Sequence, residues 1–280
     1  MSAPAGPLHK HDFLLRRLHS LSGILPIGVF LIAHLTTNST ILWGVANLRA
    51  GDNPFQRRVA TFQEEVSFLN SMPGLLLIEV TLWLSILFHA VLGVYYIRTG
   101  RGNAAHYPYR DNWRYTLQRL TGYFSILFIF YHIATLRWGW SFLVPGGAQW
   151  SHHYASSTLA QALQGSADGY TAAGLAISIF YFVGVSCVVF HFANGLWTAA
   201  ITWGLTVSQP AQKRWGYVCT AMGLALMGMA WASVIGFATL DPAAARRVEN
   251  RLLGETDPEP GDGRAAELEQ KTEPPFKEGG

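Results

Sequence analysis

The sequence predicts an all-α membrane protein whose core is a bundle of five transmembrane helices. Half of the 280 residues are hydrophobic, and only 13% are charged. Five apolar runs each contain the ~20 residues that a helix needs to cross a bilayer. Four of these runs carry a histidine in their interior, and an ionisable side chain in hydrocarbon is costly unless it serves a site.

The five predicted helices lie at residues 18–43, 73–97, 120–140, 172–203 and 217–240. The first run follows Arg16 and Arg17, is longer than the apolar part of a signal peptide and has no small-residue cleavage site. We therefore expect it to remain in the protein as the first transmembrane helix. Residues 1–240 form the predicted membrane domain.

Lysine and arginine are distributed unevenly between the two sides of this bundle. The side that contains the N-terminus holds ten of them, whereas the other side holds four before residue 241. Because basic residues are retained in the cytoplasm, we expect a cytoplasmic N-terminus and, after five spans, a C-terminus outside.

The last 40 residues have a different composition, which is rich in Glu, Asp, Pro and Gly. Residues 241–280 contain six Lys and Arg against ten Asp and Glu, whereas residues 1–240 contain 14 against seven. Such a segment cannot bury much apolar surface, so we expect an acidic and disordered tail. The charge distribution predicts no nucleic-acid partner.

The two cysteines, Cys187 and Cys219, lie singly in apolar runs. They therefore offer neither a disulfide framework nor a thiolate cluster for iron and sulfur. The Cys-x-x-Cys-His motif that attaches a c-type haem is also missing from the sequence. Any haem in this protein is expected to be of the b type.

The interior histidines fall into two layers when their depth is counted at ~1.5 Å per helical residue. His34 and His132 lie roughly 26 and 20 Å from the inner surface, whereas His89 and His191 lie roughly 24 and 28 Å from the outer surface. A tetrahedral zinc site would need all four around one point. Two layers of two instead predict a di-haem bundle with two bis-histidine haems, although a membrane histidine can also merely hydrogen-bond a neighbouring helix.

Glycines accompany these histidines at repeated spacings. Gly93 and Gly195 follow His89 and His191 by four residues, and two further glycines, Gly23 and Gly122, precede His34 and His132 by 11 and 10 residues. Gly23 and Gly122 lie at the depth of the inner layer. Two explanations remain open for each glycine: room for a porphyrin, or close approach of two helices in lipid.

Four segments of the chain resemble a known family. They are Arg16 to Gly23 with Pro26 and His34, His89 to Gly93, Gln118 to Gly122 with His132, and His191 to Trp197. They resemble the cytochrome b subunit of succinate dehydrogenase, in the five-helix, di-haem form related to bacterial fumarate reductase anchors. The resemblance covers roughly residues 12–238.

This resemblance implies a subunit of the bacterial cytoplasmic membrane that passes electrons between an iron-sulfur subunit and a quinone, with menaquinone as one candidate. It implies that His34 pairs with His132 on an outer haem b and His89 with His191 on an inner one. It also implies a flavoprotein partner on the cytoplasmic side, because nothing on this chain could oxidise succinate. The remaining partners are lipid and quinone.

Several other side chains are candidates for haem or quinone contacts. Arg17, Arg119 and Ser22 could bind haem propionates, although the arginines also fit the positive-inside rule alone. We expect His19, at the inner boundary, to contact solvent or phosphate. The carboxylate inside a span, Glu79, is a candidate for quinone protonation, and Glu64 and Glu65 are weaker ones because a solvated helix face explains them better.

The cytoplasmic segment at residues 98–119 combines five arginines with Tyr107, Tyr109 and Trp113. Arginine and aromatic residues are enriched at interface cores, so we expect the iron-sulfur subunit to dock here. Two alternatives remain: a haem-b anchor of a hydrogenase or formate dehydrogenase, and a haem-free transporter that uses its histidines as a proton relay.

Overall fold

The computed structural model describes residues 11–46, 51–99 and 110–255 of the chain. Within these ranges the regular secondary structure is helical and no β-strand is found, which confirms the predicted all-α class. The α-helices are α1 (Asp12–Ser22), α2 (Val29–Trp43), α3 (Pro54–Asn70), α4 (Leu75–Thr99), α5 (Arg110–Leu136), α6 (Ala155–Gln164), α7 (Ala172–Thr202), α8 (Gln209–Ala238) and α9 (Pro242–Leu253).

Five helical stretches are long and apolar enough to cross a membrane. They are Asp12–Trp43, Leu75–Thr99, Trp113–Leu136, Ala172–Thr202 and Gln209–Ala238. Each corresponds to one predicted run, and the third and fifth begin seven and eight residues earlier than predicted because their polar first turns are also helical. Large apolar side chains such as Leu76 and Leu77 are exposed on α4, as expected for a helix that faces lipid. The chain is an integral membrane protein.

The first span is a single helical stretch interrupted by a π-helical segment. The segment Gly23–Gly28 joins α1 to α2 and contains Pro26, which has no N–H to donate. π-Helical turns of this kind occur frequently at functional sites. The interruption begins at Gly23, four residues after His19.

The chain divides into two compact units. Unit 1 contains Met1–Leu35, Gly74–Leu127 and Gly184–Ala230. Its buried apolar core is formed by Leu35, Val189, Leu226 and Ala230, and side chains such as Phe192 and Met222 pack against it.

Unit 2 contains Thr36–Pro73, Phe128–Val183 and Trp231–Gly280. Its three short helices, α3, α6 and α9, pack against one another. Helix α3 begins with a capping box in which Asn53 and Gln56 exchange hydrogen bonds, each 2.9 Å long. The rings of Phe62 and Phe237 meet edge to face with their centroids 4.8 Å apart. Unit 2 therefore contains packed helices of its own in addition to the ends of transmembrane helices.

Helix α9 differs from the expectation of a disordered tail that begins at residue 241. Asp241 caps the helix by accepting a hydrogen bond from the amide of Ala244, and Gly254 ends it in the left-handed conformation. One face is apolar, and Ala245 and Val248 are fully buried. This amphipathic helix was not predicted from the sequence, because the acidic composition of residues 241–280 was considered as a whole. Residues 256–280, the rest of the expected tail, lie outside the described residues.

A buried carboxylate attaches α9 to α6. The side chain of Glu249 is fully buried and accepts hydrogen bonds from the amides of Ser156 and Ser157 at 2.7 and 3.1 Å. The Ser157 hydroxyl donates a further bond of 2.5 Å to the same carboxylate, and the Arg246 Nε bonds that hydroxyl at 3.1 Å. We refer to Glu249, Ser156, Ser157 and Arg246 as the Glu249 cluster.

Candidate cofactor site

The two histidines predicted for the inner layer face each other in unit 1. His89 lies on α4 and His191 on α7, and their ring centroids are 6.1 Å apart with an angle of 83° between the ring planes. Both side chains are half-buried. The structure therefore brings together two imidazoles from helices that are 102 positions apart in the sequence.

Each of these rings is fixed by a hydrogen bond from Nδ1 to a main-chain carbonyl. The Nδ1 of His89 lies 2.9 Å from the carbonyl oxygen of His19 on α1. The Nδ1 of His191 lies 3.1 Å from the carbonyl oxygen of Gln118 on α5. A carbonyl oxygen can only accept, so Nδ1 carries the proton in both rings. In a neutral imidazole this leaves Nε2 with its lone pair available to a metal.

The arrangement fits a haem better than a free metal ion. Among the described residues there is no group of three or more His, Cys, Asp or Glu side chains that could hold a metal ion. A haem iron already has four porphyrin nitrogens and needs only axial ligands, for which histidine is common. Two imidazoles on opposite sides of one metal have centroids roughly 6 Å apart, since each metal–nitrogen bond is about 2 Å. The observed 6.1 Å matches this separation.

Glycines lie directly beneath both rings. A Cβ atom placed on Gly23 would come within 2.6 Å of the His89 Cε1 atom, and one placed on Gly122 would come within 3.0 Å of the His191 Cε1 atom. The two explanations that the sequence left open were a porphyrin or simple helix packing. In the structure, both glycines make room for the imidazole of another helix.

The predicted outer histidines belong to different units and have separate surroundings. The ring of His34, in unit 1, stacks on Phe30 with centroids 5.1 Å apart. The ring of His132, in unit 2, lies 5.9 Å from both Phe128 and Tyr181. Both histidines are half-buried among aromatic side chains. Their pairing on one haem stays a prediction.

The three candidate propionate donors have partners within the chain. Arg17 stacks over the ring of Phe13 at 3.6 Å, and Arg119 donates a hydrogen bond to the Ile97 carbonyl. The Ser22 hydroxyl donates to the His19 carbonyl at 2.8 Å and lies 3.4 Å from the His89 Nδ1. Ser22 is therefore next to a candidate ligand.

The three candidate acids differ in burial. Glu64 on α3 is exposed, whereas Glu65 on the same helix is half-buried and bonds the Thr37 side chain. Burial raises the pKa of the Glu65 carboxyl above its usual range. Glu79 is half-buried on α4. Glu65 thus has a more buried and more polar setting than the sequence alone indicated.

The sequence did not predict the role of His19 in this site. We expected solvent or phosphate contacts, but its ring stacks on His89 with centroids 4.0 Å apart and an angle of 16° between the planes. Its Nδ1 is buried with no hydrogen-bond partner among the described residues. A signal was present in the sequence, since His19 lies one helical turn before Gly23 just as Gln118 lies one turn before Gly122.

Gln118 is the centre of a polar network that the sequence also did not predict. Its Nε2 donates to the His191 carbonyl at 3.0 Å, and its Oε1 accepts from the buried Asn194 side chain at 2.9 Å. Asn194 in turn accepts from the Nε of Arg114 at 3.0 Å. Arg114, which the sequence placed on a docking surface, therefore has a partner within the bundle, and residues 100–109 of that surface lie outside the described residues.

Comparison with known proteins identifies a relative that shares nearly its whole length with this chain. No protein-family model matches the sequence. The succinate dehydrogenase cytochrome b558 subunit of Bacillus subtilis (strain 168) is 32% identical over 229 residues. The alignment covers 81% of this chain and 98% of that protein. The similarity therefore extends over most of the chain and is not confined to one helix.

Proposed function

The chain belongs to the family of succinate dehydrogenase cytochrome b subunits, and on this premise we propose that it anchors a succinate:quinone oxidoreductase in the membrane. In this role it carries electrons between an iron-sulfur subunit and quinone. The proposal depends most on one observation, the pair formed by His89 and His191 with both Nδ1 atoms bonded to carbonyls.

We propose that His89 and His191 would hold an inner haem b, and that His34 and His132 would hold an outer haem b. The relative's designation as a cytochrome b supports the haem type. When bound, each haem supplies a one-electron carrier. The chain itself orients the imidazoles and surrounds them with apolar helices. The main-chain carbonyls that hold Nδ1 also raise the basicity of the ligating nitrogens.

The other subunits are proposed to supply the chemistry that oxidises succinate. This sequence contains no cysteine cluster, and the described residues contain no β-strand of the kind on which a dinucleotide-binding site is built. A flavoprotein and an iron-sulfur protein on the cytoplasmic side are therefore required partners. We propose that the segment at residues 98–119 contributes to their docking surface, together with the exposed Trp113.

The topology proposed for the complex has a cytoplasmic N-terminus and an external C-terminus, which places α3, α6 and α9 outside. Quinone reduction consumes protons, so its site needs a titratable group near the outer haem. Glu65 and Glu79 are the proposed acids, and Glu64 is a weaker candidate because it is exposed. The acidic segment beyond α9 has no role in this proposal.

Optical spectroscopy of the purified complex tests the central claim. The dithionite-reduced complex is expected to show b-type bands and two haems per chain. His89→Ala is expected to remove one haem and His34→Ala the other, because each substitution deletes one axial ligand of a different pair. A redox titration of each variant identifies the haem that remains.

Two outcomes would contradict the proposal. Reduced protein without b-type bands would favour a haem-free transporter that relays protons through these histidines. Co-purification with a nickel or molybdenum protein would instead favour an anchor for a hydrogenase or formate dehydrogenase. If His34→Ala and His89→Ala removed the same haem, the pairing would be wrong while the family assignment would stand.

A further inference from the structure

The two inner histidines are held by the same arrangement, which occurs twice in unit 1. In the first copy, the first span contributes His19 and Gly23 against His89 and Gly93 of α4. In the second, α5 contributes Gln118 and Gly122 against His191 and Gly195 of α7. On each of the four helical stretches the glycine follows the His or Gln by four positions, which is about one helical turn.

The first part of each copy is a carbonyl that accepts from a ligand ring. The His19 carbonyl accepts from His89 Nδ1, and the Gln118 carbonyl accepts from His191 Nδ1. Such bonds fix the tautomer of a metal-binding histidine and prevent rotation of its ring. Because the carbonyls belong to rigid helices, each ring plane is set by the helix beside it.

The second part is the glycine one turn further along, which allows the ring to reach that carbonyl. Alanine at Gly23 would place a Cβ 2.6 Å from His89, and alanine at Gly122 would place one 3.0 Å from His191. The first distance is too short for any carbon contact, so the ring would have to move. Neither glycine has a positive φ, so it is the missing side chain, and not an unusual backbone, that the site needs.

The third part is the side chain of His19 or Gln118, which covers the glycine that follows the ligand. The His19 Cε1 lies 3.4 Å from the position of a Cβ on Gly93, and the Gln118 Nε2 lies 3.4 Å from that of a Cβ on Gly195. His19 holds its ligand by stacking at 4.0 Å, whereas Gln118 bonds the main chain of its ligand at 3.0 Å. The two copies thus use different side chains for the same position.

We propose that His19 and Gln118 are positioning residues for the inner ligands, and that together with Gly23 and Gly122 they hold the two imidazole planes nearly perpendicular. The proposal rests on the proposed function, because it assigns these residues to the haem that His89 and His191 would bind. It makes His19 neither a third ligand nor a proton carrier. Its ring acts as a flat surface on which the His89 ring rests.

Ligand orientation has a spectroscopic signature that a purely structural role would not change. A ferric haem with perpendicular axial imidazoles gives a low-spin EPR signal with larger g anisotropy than one with parallel imidazoles. The axial ligands and their hydrogen bonds also set the reduction potential. Both quantities can be measured for each haem separately in the assembled complex.

The first test compares Gly23→Ala and Gly122→Ala with Gly228→Ala in the full-length protein, purified with its partner subunits. Gly228 also lies in a transmembrane helix, but nothing lies within 4 Å of the Cβ that alanine would add. It therefore reports the effect of helix propensity alone. We expect the first two substitutions to weaken binding of the inner haem about 10- to 100-fold and to shift its EPR signal, and Gly228→Ala to do neither.

The second test compares His19→Ala with His19→Phe. Its result does not depend on whether the glycine variants assemble with their partner subunits. His19→Ala removes the stacked surface and is expected to lower the g anisotropy of the inner haem, whose ligand ring can then rotate. His19→Phe keeps a flat ring against His89 and is expected to retain the wild-type signal. Phenylalanine can neither bind iron nor carry a proton, so its success would exclude both of those roles.

The outcomes separate this inference from the proposed function. Wild-type protein without b-type haem would overturn the proposed function and this inference with it. Two haems in the wild type, with an unchanged inner EPR signal and potential in Gly23→Ala and His19→Ala, would overturn the inference alone. If His19→Phe behaved like His19→Ala, the stacking role of His19 would be wrong.

Discussion

Polar groups are buried both around the inner histidines of unit 1 and in the Glu249 cluster of unit 2. The two places differ in which side-chain atoms accept or donate a hydrogen bond. Around Glu249, two amides and a hydroxyl donate to one carboxylate, so the acid is fully used in joining α9 to α6. Around His89 and His191, the carbonyls engage Nδ1 only. The second arrangement leaves an electron-pair donor on each ring.

This is the difference expected between a structural polar cluster and the proposed haem site. Buried polar groups are normally satisfied by hydrogen bonds, and each satisfied group contributes to a unique packing. A site that binds a cofactor must instead fix its side chains while keeping one atom of each available. Hydrogen bonds to the atom that does not react achieve both. The comparison predicts large stability effects in the first cluster and mainly spectroscopic effects in the second.

Glu249→Ala is expected to have the largest effect on stability. It leaves the Ser156 and Ser157 amides and the Ser157 hydroxyl without their acceptor, at a cost of about 3 kcal/mol. Helix α9 should then detach, and trypsin should cleave after Arg246, Arg247 or Arg251 faster than in the wild type. The haem spectrum should not change.

Glu249→Gln is the matched variant, because an amide oxygen can still accept from the two backbone amides. We expect it to cost about 1 kcal/mol and to leave α9 largely resistant to trypsin. Equal cleavage of the wild type and Glu249→Ala would show that the cluster does not hold α9. A loss of haem in Glu249→Ala would contradict the separation between the two clusters.

A smaller effect is expected from pH. Burial raises the pKa of Glu249 from 4.5 to about 6, and the surrounding hydrogen bonds limit the rise. The folded state therefore binds the proton more tightly than the unfolded state, so stability is greater at low pH and is lost as the pH rises from about 4.5 through 6. The change is on the order of 2 kcal/mol.

Hydrogen exchange of the α9 amides, corrected for the intrinsic pH dependence, measures this effect. Protection should decrease between pH 4.5 and 6.5 in the wild type, and the decrease should be absent in Glu249→Gln, which cannot titrate. Protection that increased with pH would mean that the hydrogen bonds outweigh burial and that the pKa of Glu249 is lowered.

The smallest effect on stability is expected from Glu65→Gln, which tests whether unit 2 also contains a functional acid. Glu65 is half-buried and keeps an isosteric amide in the variant, so unfolding should be nearly unchanged. Quinone reduction by the complex should fall, because the amide cannot transfer a proton. The exposed Glu64→Gln is the control and should retain full activity. Equal activity of both variants would remove Glu65 as a candidate and leave Glu79.

The five membrane helices could be predicted from the sequence because length and hydropathy alone determine them. The observed helix bounds differ from those of the predicted runs by up to eight residues, and the largest differences are at helix starts, since a polar first turn such as that of α5 carries no apolar signal. The helices α3, α6 and α9 were not predicted. Their burial depends on packing against one another, and α9 is too polar on its outer face to differ from a disordered acidic segment.

The structure places the rings of His89 and His191 6.1 Å apart, at the similar depth that counting residues along antiparallel helices gives for them. The supporting residues could not be found in the same way. The contact between His19 and His89 depends on which face of α1 points at α4. A helix that is hydrophobic on all sides gives no indication in its sequence of how it is rotated about its own axis. The carbonyls of His19 and Gln118 are main-chain atoms, which no residue type identifies.

The repeated support of the inner ligands means that each imidazole is oriented by its own pair of spans. In each copy one span provides the imidazole, and the other provides the glycine that admits it and the carbonyl that orients it. The two copies share the glycine and the main-chain carbonyl, whereas the side chain beside them is His19 in one and Gln118 in the other. A substitution in one copy is therefore expected to disturb one imidazole and to leave the orientation of the other unchanged.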